Sequence, residues 1–190
     1  MPTHVALLRG INVGGRNRVA MAALREVVEG LGHRDVATYI QSGNVVFTSA
    51  EADPATLAAA LEAAIGGQLG VRPTVVVRTC RELARVVADN PFPGQDNPRL
   101  VHAVFWSGPL GAEELAAVDA AQRRSRELGS RDEAQVVGGT LYLHTPDGFG
   151  RSELAAQLTR MGGGQIAGTA RNWATVRKLL AMCGEREQGA

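Results

Sequence analysis

The residues with the most chemical potential lie in one stretch, Arg9-Gly10-Ile11-Asn12-Val13-Gly14-Gly15-Arg16-Asn17-Arg18. Arginine offers planar, bidentate donors to phosphate or carboxylate. Asparagine adds directional hydrogen bonds, and glycine lets a backbone come close to a ligand. The stretch follows an apolar run, His4 to Leu8, and precedes a helical pattern that opens near Met21. A strand therefore hands over to a helix, whose free N–H groups and dipole favour an anion at its start. Two readings follow. One is a pocket for a small anionic ligand, phosphate or carboxylate, drawing on Arg9, Asn12, Gly14, Gly15 and Arg16, with Arg9 preferred because it ends the strand, while Arg16 and Arg18, further along the loop, supply charge or simply face water. The other is a structural loop whose glycines take positive φ and whose asparagines hold turns.

No stronger motif competes. The loop lacks the Gly-Lys-Ser/Thr ending of a phosphate-binding P-loop and the G-x-G-x-x-G of a dinucleotide fingerprint. The four histidines are scattered without metal-ligand spacing, so no metal site is expected. No cofactor motif and no Ser-His-Asp set can be placed, which leaves catalytic residues unassigned. Cys80 follows Thr79 at a helix start between Arg78 and Arg81. That environment lowers a thiol pKa; the plainer reading is a buried structural cysteine.

The elements that must position this chemistry are legible from pattern. Val5 to Leu8 reads as a buried strand. Met21, Leu24, Val28 and Leu31 recur at helical spacing, and Gly32 marks a stop. Val36 to Ser42 and Val45 to Thr48 flank Gly43-Asn44, a hairpin signal that sets Ile40 opposite Phe47. Asp53-Pro54 opens a helix carrying Leu57, Leu61 and Ile65, and Thr74 to Val77 is the next strand. The order is β-α-β-β-α-β, the ferredoxin-like unit. In that topology the Ser42-Gly43-Asn44 turn lies at the same sheet edge as the glycine loop, about 5–10 Å away given ~4.8 Å between strands. Ser42 and Asn44 therefore join the candidate set.

A helix from Cys80 to Asp89 leads into Asn90 to Pro98, whose three prolines and a glycine mark a boundary. The order then recurs. Val101 to Trp106 is a strand and Ala112 to Leu128 a helix. Ala134 to Val137 and Thr140 to Leu143 form a hairpin about Gly138-Gly139, and Ser152 caps a helix bearing Leu154, Leu158 and Met161. Gln165 to Thr169 reads as a short strand, and a last helix carries Trp173, Val176, Leu180 and Cys183. Under one constant shift Thr79, Arg81, Ala84 and Val86 fall on Thr169, Arg171, Ala174 and Val176. The expected fold is α+β: a tandem duplication of two ferredoxin-like (βαββαβ) halves with antiparallel sheets, plus a C-terminal helix. The expected domains are 1–89, a Pro-rich linker 90–100, and 101–190. Arg171-Asn172-Trp173 opens the last helix. Asn172 reads as its cap and Trp173 as core, or Arg171 and Trp173 complete a site between the halves, with Arg171 and Asn172 among the candidate ligand-binding residues.

Composition narrows the class. The formal net charge is +1 and aromatic residues make up 4% of the chain, so no basic field points to nucleic acid. Lys178 is the only lysine, every other basic side chain being arginine. Two cysteines far apart, Cys80 and Cys183, argue for a reducing compartment and against a disulfide framework. No apolar run approaches the ~20 residues of a membrane span, and no signal peptide is evident. A cytoplasmic protein without membrane contact is expected.

Four segments together resemble the bacterial family called domain of unknown function 1697. They are His4 to Gly15, Thr38 to Phe47, Asn90-Pro91-Phe92-Pro93, and Thr169 to Val176. Ala170 and Ala174 depart from the family's usual Thr-Arg-Asn-Trp-Asn-Thr motif. The resemblance implies tandem ferredoxin-like halves and carries no activity. Three functions stay open: a protein binding a small anion at the glycine loop; a nucleic-acid-binding module stacking bases on Tyr39 and Tyr142 across open sheet faces; and a partner-binding protein without its own ligand.

Overall fold

A computed structural model describes residues 1–15, 17–160 and 168–187. Arg16, and the expected strand and helix residues Gln165 and Met161, lie outside them. The chain is α+β, with two four-stranded antiparallel sheets and, among the described residues, six α-helices. Among those residues no helix is long and apolar enough to cross a membrane. The fold divides into two compact units, Met1–Ala84 with Lys178–Ala190, and Arg85–Arg177.

The first unit holds β1 (Thr3–Arg9), α1 (Met21–Gly30), β2 (Arg34–Tyr39), β3 (Asn44–Thr48), α2 (Pro54–Leu69) and β4 (Thr74–Thr79), in sheet order β2-β3-β1-β4. Alternation along the strands sends Ala6, Leu8, Val45, Phe47, Val75 and Val77 into one core, where Leu24, Val27 and Val28 of α1 and Leu57, Leu61 and Ile65 of α2 meet them. Of those helix residues all but Val27 are apolar positions read from the 3.6-residue period, while Leu31, also read there, is exposed. α2 starts where the sequence places it: Asp53 caps it by accepting from Thr56 N at 2.9 Å, with Pro54 in its first turn.

α3 (Cys80–Ala88) begins in the first unit. Thr79 and Glu82 close its start reciprocally: Thr79 N donates to Glu82 Oε2 at 2.7 Å and Glu82 N to Thr79 Oγ1 at 3.1 Å. The second unit carries β5 (Val101–Trp106), α4 (Ala112–Glu127), β6 (Glu133–Val137), β7 (Thr140–His144), a 3-10 turn at Phe149–Arg151, α5 (Glu153–Arg160) and β8 (Gly168–Asn172). Its sheet order, β6-β7-β5-β8, repeats the first. α6 (Trp173–Glu187) follows.

The strand registers correct two details of the expectation. The first hairpin pairs Tyr39 with Asn44 and Thr38 with Val45, so its connection is residues 40–43 and Ile40 does not face Phe47. Asn44 is drawn into β3 because its Nδ2 donates to Tyr39 O at 3.0 Å and to Ser42 Oγ at 2.9 Å. In the matching strands β4 and β8, Arg78 lies opposite Val5 and Arg171 opposite Ala103. Thr79 and Asn172, next in each strand, each cap the following helix. The register therefore matches Arg78, not Arg81, to Arg171.

A third correction concerns the cysteines. Cys80 and Cys183 form a disulfide, with Cα atoms 5.9 Å apart and 103 residues between them in sequence. The spacing that argued against a disulfide framework is large along the chain and small in space, because the tail from Lys178 returns to the first unit.

Candidate functional site

The glycine loop, residues 10–20, is organised by Asn12. Its Nδ2 donates to Val19 O at 3.0 Å and to Gln41 O at 2.9 Å, and its Oδ1 accepts from Val19 N at 2.8 Å. Its backbone N–H donates to Asn17 O at 3.0 Å, while Asn17 Nδ2 donates to Gly10 O at 2.8 Å. Both asparagines sit at positive φ, 53° and 50°, which their short polar side chains tolerate. The loop is thus a closed ring of bonds, and the Asn12–Gln41 contact ties it to the first hairpin. A second tie runs through the backbone, Leu8 N to Gly43 O at 2.8 Å.

Gly43 explains why the two segments come so close. Its φ is +75°, and a Cβ there would stand 2.8 Å from both Ile11 Cδ1 and Leu8 Cβ. The sequence motif Ser42-Gly43-Asn44 therefore brings the hairpin onto the loop, at the edge the topology predicts.

Between them lies an open depression of about 650 Å³ lined by Asn12, Gly15, Arg18, Val19, Ala20 and Gln41. Ala20 precedes α1 and supplies no side-chain cap, and the first turn of α1 has no acidic residue. The first N–H groups of a helix have no intrahelical acceptor, and the positive end of the dipole lies here. Arg18 is exposed and lines the depression.

Of the residues read from sequence, Asn12 and Gly15 line it. Gly14 is exposed in the same loop at φ +58°. Arg9 ends β1 opposite Thr74, half-buried and outside the lining. Asn44 is fully buried and bonded to Ser42 and Tyr39. Arg171 and Asn172 belong to the second sheet. Arg171 Nη1 donates to Thr169 Oγ1 at 2.7 Å and to Ala170 O at 2.9 Å, and burial lowers its pKa to about 10. Asn172 Oδ1 accepts from Thr175 N at 2.8 Å and caps α6. The sequence reads Arg18 as a loop arginine that supplies charge or faces water, with Arg9 preferred over it, and does not read Gln41 as a site residue. Nothing in composition separates Arg18 from its neighbours, whereas Gln41 follows from the Asn12 bond alone.

Two further residues bear on the alternatives. Tyr142 is buried, with its hydroxyl donating to Val86 O at 2.9 Å, so its ring offers no base-stacking surface. Trp173 is buried with its ring centroid 6.3 Å from that of Tyr142, as a core residue should be. The second unit has a cavity the sequence did not suggest. It has a volume of about 440 Å³ and a lining that includes Arg124, Ser125, Asp132, Asp147, Arg151 and Glu153. Asp147 there is bridged to Arg131 at 2.5 Å.

Residues 1–142 match the family described as a protein of unknown function (DUF1697). The chain belongs to this family. No curated protein matches it. Among solved structures, the conserved bacterial protein SP0830 from Streptococcus pneumoniae is similar, with a TM-score of 0.76 at 22% identity over 96% of this chain and 98% of that one. At that identity the likeness speaks to the fold. Among the described residues, no group of three or more His, Cys, Asp or Glu side chains could hold a metal ion.

Proposed function

We propose that the depression at the start of α1 binds a small anion, a phosphate or a carboxylate, with Arg18 as the counter-charge. The observation that carries this reading is the α1 N-terminus, which has neither a side-chain cap nor an acidic residue in its first turn and opens into the depression. The role of Asn12 is to hold the wall, since its side-chain amide is spent on Val19 and Gln41. Gly15 keeps the backbone approachable, and Gln41 supplies a neutral polar side chain at the rim.

The reading is tested by melting the protein with inorganic phosphate and with acetate. A ligand that binds only the folded state raises Tm in a saturable way. A charge-assisted hydrogen bond is worth roughly 1.5–3 kcal/mol, so Arg18→Ala should weaken phosphate binding by on the order of 10- to 100-fold. Its own stability should move by less than ~0.5 kcal/mol, as for other surface changes. Equal phosphate shifts in wild type and variant would remove the depression as the site.

The same reading treats the two halves as copies of one ferredoxin-like βαββαβ unit. Support comes from the repeated strand order and from paired positions. His4 lies opposite Thr79 and His102 opposite Asn172, each the second residue of its half's first strand.

A further inference from the structure

We infer that the Cys80–Cys183 pair is a reversible redox clasp that fastens the tail from Lys178 onward to the start of α3. Both sulfurs belong to the first unit, while the whole second unit, Arg85–Arg177, lies within the loop that the bond closes. The tail is joined to the rest of its own unit through the backbone of the other unit and through this single bond. Breaking it turns a short covalent link into one that runs the length of the inserted unit, and the entropy of the opened chain grows with that length. What holds the tail afterwards is the burial of Leu179, Met182 and Cys183.

The chemistry favours reversibility. Cys80 is the first residue of α3, at the positive end of the helix dipole, which favours a thiolate. Arg78 and Arg81 flank it in sequence, against one carboxylate, Glu82, which is bonded to Thr79. A stabilised thiolate is a good leaving group in thiol–disulfide exchange. An external dithiol attacks Cys183 Sγ as its thiolate, forming a mixed disulfide and expelling Cys80 Sγ as thiolate. Its second thiol, deprotonated in turn, closes the dithiol's own disulfide and expels Cys183 Sγ. Two electrons pass from the dithiol to the protein, and the protein thiols take up protons from water. A small-molecule disulfide reverses the sequence. Cys80 is 5% and Cys183 1% exposed, so exchange waits on opening of the tail, and the rate reports that opening.

The test uses the full chain with dithiothreitol as reductant and glutathione disulfide as oxidant, followed by amide hydrogen exchange read by mass spectrometry. Reduction should speed exchange in the tail, from Lys178 on, by at least about tenfold, leave the strands of both sheets protected, and reverse on reoxidation. Cys183→Ser should exchange like the reduced protein under both conditions. Identical tail exchange in the two redox states would overturn the clasp. So would loss of protection across all elements on reduction, which marks a structural staple, or two titratable thiols after oxidation, which means that no bond forms. The wild-type comparison decides the matter even if the variant folds poorly.

Discussion

The first half leaves its opening strand through residues 10–20, the second through residues 107–111, although each connection runs from first strand to first helix. The hairpins differ in the same sense. Residues 40–43 join β2 to β3, while Gly138-Gly139 alone join β6 to β7, at φ 57° and 80°. The helix starts differ too. Gly111 N donates to Glu114 Oε2 at 2.8 Å and α4 carries Glu113 and Glu114 in its first turn, so its positive end meets its own carboxylates. The start of α1 has none. At this edge the second half makes its connections with little chain, and the first half spends more of it there. Chain that the fold does not need, held by a ring of hydrogen bonds and ending at an uncapped helix, is where a ligand is best sought.

That contrast can be broken by substitution. Gly43→Ala should be the most damaging change, because left-handed strain of about 1–2 kcal/mol adds to overpacking of about 1–3 kcal/mol against Ile11 and Leu8. Gly139→Ala, with open space around it, should show the strain alone. Urea unfolding of the two variants would contradict the tie between loop and hairpin if the costs were equal.

The paired histidines make a second test. Burial lowers the pKa of His102, which stacks on Phe149 at 4.0 Å, to about 4. An unfolded histidine titrates near 6.5, so the unfolded state binds the extra proton first. The stability is complete above about pH 6.5 and falls as the pH drops towards 4, by about 3 kcal/mol for His102. His102→Phe should flatten that part of the profile. Burial also lowers the pKa of His4, opposed by the backbone of Ala52 and Pro2, so a smaller slope of the same sign should remain. A profile unchanged by His102→Phe would refute the assignment.

Asn12→Ala comes next, at about 1–3 kcal/mol for the lost bonds and the Val19 and Gln41 groups they leave unsatisfied. The same variant should lose its phosphate response more than its stability. If the response survives, the wall is not needed for the site.

Much of this arrangement was legible from residues alone, for identifiable reasons. α2 opens at Asp53-Pro54 and α4 runs over the expected residues because caps, prolines and apolar period agree locally. The Gly138-Gly139 hairpin was readable because two residues at positive φ define the turn completely. The Gly43-Asn44 pair gave the same signal and a different turn, since the bonds Asn44 makes to Tyr39 and Ser42 outweigh it. The polar stretch after β1 was visible, but not which of its uses prevails for Asn12, because Val19 and Gln41 become its partners only once the loop closes. The disulfide is a tertiary fact with no local signature.

The division of the chain also bears on the order in which it can assemble during synthesis. The first unit is supplied by Met1–Ala84 and by the segment from Lys178, with the whole of Arg85–Arg177 made in between. A ribosome working from the N-terminus therefore delivers every residue of the second unit before the first unit has its last helix segment. The nascent protein then carries a first unit that still lacks the segment from Lys178 and a second unit whose residues are all present. Until Cys183 emerges, Cys80 is a free thiol at a helix start, open to any passing disulfide.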